Sequence, residues 1–184
     1  MLLLGCKPKG RHTEQHDIFF TIGASLKSIV PHIKAFWPDG GTIHIDAWRE
    51  ITHVEGYAIE AVKKQKLNSS AVQSKEKLKL FFINLGGYKP GEFEEFHYRT
   101  IVPAINTAEA IKSAKQTSFY LHTGFKGASS HIDDKYGIDV DDVYTIDDIL
   151  PEEIKTDFSI VIKPTEKKSM DEWHIGYTNL SKIK

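Results

Sequence analysis

A chain of 184 residues, 40% hydrophobic and 27% charged, is long enough to bury a true core. Its 24 basic and 25 acidic residues leave a formal charge of −1, so no overall field draws it to nucleic acid or an anionic membrane. The single cysteine, Cys6, excludes an internal disulfide and fits a reducing cytoplasm, and no apolar run approaches the roughly 20 residues of a membrane span.

Met1 to Gly5 is a short apolar run that reads as an interior strand. Leu2-Leu3-Leu4-Gly5-Cys6 superficially resembles a lipoprotein cleavage box, but too little precedes it for a signal, so a buried strand is expected instead. Lys7-Pro8-Lys9-Gly10-Arg11 is a loop, and His12 to Ile22 is an extended segment. Ile29, Val30, Ile33, Phe36 and Trp37 form one apolar stripe at helical spacing. Ser25 or Ser28 caps that helix, and Pro31 favours the later start because proline breaks a helix interior. Thr42 to Ile51 is the clearest strand, with Ile43, Ile45 and Ala47 on one side and His44, Asp46 and Trp48 on the other. Glu55-Gly56 predicts a turn and Tyr57 to Val62 a return strand.

A polar, lysine-rich connector follows over 64–77. Beyond it come a strand at Leu78–Leu85, a loop at Gly86–Gly91 and a second strand at Glu95–Val102. A helix is expected from Thr107 to Phe119, capped by Asn106 with Glu109. Asp139, Asp141 and Asp142 read as an acidic turn before Val143-Tyr144-Thr145-Ile146. Phe158–Ile162 and Trp173–Tyr177 predict a terminal hairpin.

The two halves read as one unit written twice. Glu14-Gln15-His16 returns as Glu95-Phe96-His97, an offset of 97 − 16 = 81, which also aligns Leu4 with Leu85 and Gly5 with Gly86. His44-Ile45-Asp46 returns as His131-Ile132-Asp133, an offset of 131 − 44 = 87. Such a period exceeds the roughly 20–50 residues of a solenoid unit. The expected fold class is therefore α+β: two tandem β-β-α-β-β-like repeats with pseudo-two-fold symmetry plus a C-terminal β-hairpin. The segments are 1–63 (first repeat), 64–77 (connector), 78–150 (second repeat) and 151–184 (hairpin extension), expected to form one compact unit.

Chemistry is expected where the repeats agree. Glu-x-His and His-x-Asp on extended backbone each send both polar groups to one face. Glu14, His16, His44 and Asp46 form one candidate binding set, and Glu95, His97, His131 and Asp133 form its counterpart. If neighbouring strands carry them, four N/O donors converge, which suits zinc, manganese or iron. No recognised metal spacing is present, however. On the residues alone, structural pairing outranks an organic or anionic ligand, and a metal ranks third. A second candidate is the basic loop Lys7, Lys9, Arg11 and His12, an anion site that the matching loop around Glu92 and Phe93 lacks. Cys6 beside two lysines has a lowered pKa on this reading, but no base is indicated.

The run Leu3-Leu4-Gly5-Cys6-Lys7-Pro8-Lys9-Gly10-Arg11-His12-Thr13-Glu14-Gln15-His16-Asp17, followed by His44-Ile45-Asp46-Ala47-Trp48-Arg49-Glu50, resembles the bacterial family known as domain of unknown function 1543. Gly91–His97 and Ser130–Gly137 resemble it a second time, as in a two-copy member. The resemblance covers roughly residues 1–150 and implies a bacterial cytosolic protein. It implies no activity, cofactor or catalytic residue.

Three function classes stay open. The favoured one is a small-ligand-binding or assembly module whose duplicated polar face holds a ligand or a partner. The second is an enzyme using the same residues as metal ligands or as acid and base. The third is a nucleic-acid-associated protein acting through the Lys7–Arg11 loop, which the charge balance disfavours. No membrane partner is expected; a homo-oligomer stays open.

Overall fold

In the computed structural model, residues 1–64, 77–88, 91–116, 138–167 and 169–183 are described. Contacts divide the chain into two units: Met1–Ser69 with Leu150–Lys184, and Ser70–Ile149. The fold is α+β, with three small antiparallel sheets among the described residues.

In the first unit, β1 (Leu2–Cys6) is flanked by β2 (Gln15–Phe19) and β3 (His44–Trp48). Helix α1 (Leu26–Phe36) connects β2 to β3. Alternation along β1 turns Leu2, Leu4 and Cys6 into a core with Ile29 and Ile33 of α1, Phe19 and Ile45. Leu4, Ile33 and Ile45 are fully buried, so truncating Leu4 costs about 2–5 kcal/mol.

Helix α1 starts earlier than its proline suggested. Ser25 and Ser28 do not compete as caps but bond reciprocally: Ser28 N–H donates to Ser25 Oγ at 3.2 Å and Ser25 N–H to Ser28 Oγ at 3.1 Å. Pro31 therefore lies inside the helix, on its exposed side, where water can take the carbonyl that loses its donor.

The expected turn at Glu55-Gly56 joins β4 (His53–Val54) to β5 (Tyr57–Lys63), with φ of 45° and 83° at its two residues. Positive φ at both central positions is the type I′ geometry that suits a hairpin.

In the second unit, β6 (Lys79–Tyr88) is flanked by β7 (Glu95–Ala104) and β8 (Ile138–Thr145). Helix α2 (Thr107–Ala114) follows β7; residues 117–119 of its expected span lie outside the described residues. Asn106 caps it, accepting from Glu109 N–H at 2.9 Å. Its buried face is Ala110 and Ala114, slimmer than the Ile29 and Ile33 of α1. The predicted acidic turn at Asp139–Asp142 is instead part of β8, because β6 offers it a full ladder and a bulge absorbs the extra residue. The chain then enters a short helix, α3 (Ile146–Ile149), rather than a return strand. Among the described residues, each unit has two paired strands, a helix and a third strand on the first.

The predicted terminal hairpin does not form. After α4 (Glu152–Asp157), β9 (Phe158–Pro164) pairs with β5 over seven residues, and β10 (His174–Asn179) pairs with β3. Both strands form near where the sequence places them, but each completes a sheet edge within the first unit rather than pairing with its neighbour. Lys163 Nζ meets Glu60 Oε2 at 2.7 Å across the first of these ladders.

Candidate functional site

Gly5 is the floor of the site. It pairs with His16 on one side and His44 on the other, so all three face away from α1. Glu14, the last loop residue before β2, comes in beside His16, and Asp46 of β3 comes in beside His44. A Cβ on Gly5 would overlap His44 Nε2 and stand 2.7 Å from Asp46 Oδ2, so only glycine leaves room for the groups to converge.

They converge as a ring. His16 Nε2 lies 3.5 Å from Glu14 Oε2 and 3.3 Å from Asp46 Oδ2. His44 Nε2 lies 3.3 Å from Glu14 Oε1 and 3.2 Å from Asp46 Oδ1. Each imidazole nitrogen faces two carboxylates, and each carboxylate faces two imidazoles. Nε2 carries at most one hydrogen, so two imidazoles cannot donate to four carboxylate contacts. Asp46 Oδ2 shows the deficit: it is buried and accepts no hydrogen bond among the described residues. Glu14, His16 and His44 present donor atoms within 4.8 Å of one another.

Exposure is graded. The His44 side chain is 6% exposed, whereas those of His16 and Glu14 are 41% and 45% exposed. Tyr177 of β10 lies over His44 with ring centroids 4.5 Å apart. The β3–β10 register shift between Ile175 and Thr178 falls at this tyrosine. Tyr177 was not among the sequence candidates: it lies beyond the repeat, and only the pairing of β10 with β3 brings it to the site.

The second unit gathers a related, sparser set. His97 Nε2 lies 3.4 Å from Asp141 Oδ2 and 3.9 Å from Glu95 Oε2. Glu95 and His97 lie on β7, which pairs with β6. His131 and Asp133 lie outside the described residues. Gly5 pairs with His44, and Gly86 pairs with Asp139, so the strand offset is 139 − 44 = 95, not 87. At that offset Asp46 corresponds to Asp141. The correspondence extends to the irregularities. The β1–β3 register shifts between Leu3 and Leu4, and the β6–β8 register shifts between Asn84 and Leu85, leaving Asp46 and Asp141 as the extra residues. A Cβ on Gly86 would overlap Asp141 Oδ2 and stand 2.7 Å from its Oδ1. The identity of His-Ile-Asp in two places masked this match; the pattern x-Val-Asp at Asp139-Val140-Asp141 was the available signal.

Cys6 is buried. Its side chain is in the core, and burial first, then Asp39 and Glu14, push the thiol pKa up. The neighbouring lysines were expected to lower it, but they point to solvent while the sulfur does not. Lys7, Lys9, Arg11 and His12 are all exposed on the β1–β2 loop.

Residues 11–61 match the family model described as Domain of Unknown Function (DUF1543). The resemblance to that family therefore stands on the segment that carries Glu14, His16, His44 and Asp46. No curated protein matches the chain. Among solved structures, the crystal structure of a protein Il1583 from Idiomarina loihiensis is similar with a TM-score of 0.63 and 21% identity, over 97% of this chain and 94% of that one. That likeness is one of fold. No described helix is long and apolar enough to cross a membrane.

Proposed function

We propose that the protein is a binding module whose first unit captures a divalent transition-metal ion between Glu14, His16, His44 and Asp46. The observation that carries this reading is the ring itself. Donors held 2.0–2.2 Å from a tetrahedral zinc stand about 3.3–3.6 Å apart. Glu14, His16 and His44 each offer one donor atom within 4.8 Å of the others, and the imidazole–carboxylate distances, taken over both oxygens of Glu14 and Asp46, run from 3.2 to 3.5 Å. Charge-assisted hydrogen bonds would be shorter, about 2.7–2.9 Å. A central dication satisfies both Nε2 lone pairs and both carboxylates at once, which two protons cannot. Two nitrogens and two carboxylates suit zinc, manganese or iron(II) rather than magnesium or calcium.

The second unit, with one imidazole against Glu95 and Asp141, is a weaker site of the same descent: we read the two motifs as copies of one duplicated β-β-α-β module whose donor sets have diverged.

Equilibrium dialysis of the chelator-stripped protein against zinc, with metal read by mass spectrometry, tests the reading. The wild type should retain one tightly held ion, and His16→Ala and His44→Ala should each weaken that site at least 100-fold. Wild-type protein that holds no zinc, manganese or iron at micromolar concentration ends it.

A further inference from the structure

We infer that the same metal site takes a small phosphate ester as its second ligand, gripped by the loop that joins β1 to β2; this rests on the metal reading above. Cys6 and Gln15 are the last paired residues of that hairpin, and Gly5 and His16 are the next pair inward. The loop therefore springs from the rim of the site, and its final residue, Glu14, is itself one of the donors. It is folded back rather than trailing: Arg11 N–H donates to Pro8 O at 3.2 Å, and Gly10 takes φ of 84°.

The loop carries an unanswered charge. Lys7, Lys9 and Arg11 are exposed, and among the described residues none of these side chains pairs with a carboxylate. Against them on the loop stands only Glu14. A dication held by Glu14 and Asp46 is already neutralised, so it does not use up the loop's positive charge. His16 and Glu14 form the exposed edge of the site, so an oxyanion would enter there as a fifth ligand and expand the metal to five-coordinate. A phosphate monoester supplies what this arrangement lacks: one oxygen for the metal and two more for lysine and arginine, with two negative charges. A carboxylate offers half the charge and one oxygen fewer. The corresponding loop of the second unit carries Glu92 and Glu94 instead, so its site should refuse the same anion.

Cobalt(II), whose visible absorption reports its ligands, is a suitable stand-in for zinc. Cobalt-loaded protein is titrated with methyl phosphate, and with acetate for comparison. The wild type should show a saturable change in the cobalt spectrum, at least tenfold tighter for methyl phosphate than for acetate. In the triple variant Lys7→Ala, Lys9→Ala, Arg11→Ala, cobalt affinity should be unchanged and methyl phosphate binding should weaken at least tenfold. Cobalt binding with no response to methyl phosphate, or an equal response in wild type and triple variant, overturns the phosphate assignment and leaves the metal reading standing. Failure to bind cobalt overturns both.

Discussion

Asp46 and Asp141 occupy the same place in two strands: each is the extra residue of a β-bulge opposite a glycine-bearing strand, and each carboxylate meets the imidazole of an equivalent histidine, His16 or His97. A bulge tilts its extra side chain out of the regular alternation. Here it directs a carboxylate over a glycine toward the neighbouring strand. The bulge recurs in both units, and each time its extra residue is an aspartate beside a histidine.

Replacing Asp46 separates a site from a structural ion pair. In metal-free protein the ring holds two carboxylates against too few donors, so Asp46→Asn should raise stability by about 1 kcal/mol, a melting-temperature gain of roughly 2–4 °C. The same change should abolish zinc retention. Calorimetry of chelator-treated protein checks it; a marked drop in melting temperature would show that Asp46 is there for architecture.

Gly5→Ala is a second discriminating change. Gly5 does not adopt a positive φ, so alanine suits the strand backbone, and its effect comes from the methyl group alone. That methyl would displace His44 and Asp46. Zinc affinity, read by competition with a chromophoric chelator, should fall more than tenfold while the far-ultraviolet circular dichroism stays that of the wild type. Gly86→Ala should disturb only the weaker site, through Asp141.

Cys6 should be chemically silent in the folded protein. Burial pushes its thiol pKa up, so the thiolate forms only at higher pH than in the unfolded chain. Iodoacetamide labelling at pH 8 should therefore be slow until denaturant is added. The linkage has a definite sign: the neutral thiol's contribution is complete below the ordinary thiol range and is lost as pH rises through it. Fast labelling without denaturant would contradict the core placement.

Pro31 lies in the sixth position of an eleven-residue helix. Pro31→Ala restores a backbone donor on an exposed turn and removes a ring clash. Stability should increase by about 1–3 kcal/mol, measured by urea denaturation. Ser25→Ala should act oppositely, costing about 1 kcal/mol through loss of the cap.

Local order was legible in the residues. The alternation in Thr42–Ile51 located β3, the apolar stripe from Ile29 to Trp37 located α1, Asn106 announced the start of α2, and Glu55-Gly56 announced the turn. Each depends on neighbours within a few positions, so a linear pattern carries it. The polar set of the first unit was legible for the same reason, since Glu14 with His16 and His44 with Asp46 each share a strand face.

The residues by themselves determined which segments extend, which coil, and which side chains share a face with Gly5. Only the tertiary structure decided the partners. Bulges at Leu3/Leu4 and Asn84/Leu85 gave Asp46 and Asp141 the same register position. Open sheet edges drew β9 to β5 and β10 to β3, which put Tyr177 over His44. The physical reason is that a strand's own sequence sets its period but not its register: backbone hydrogen bonds form equally well with any free edge, and the choice belongs to the side chains that must pack or pair across it.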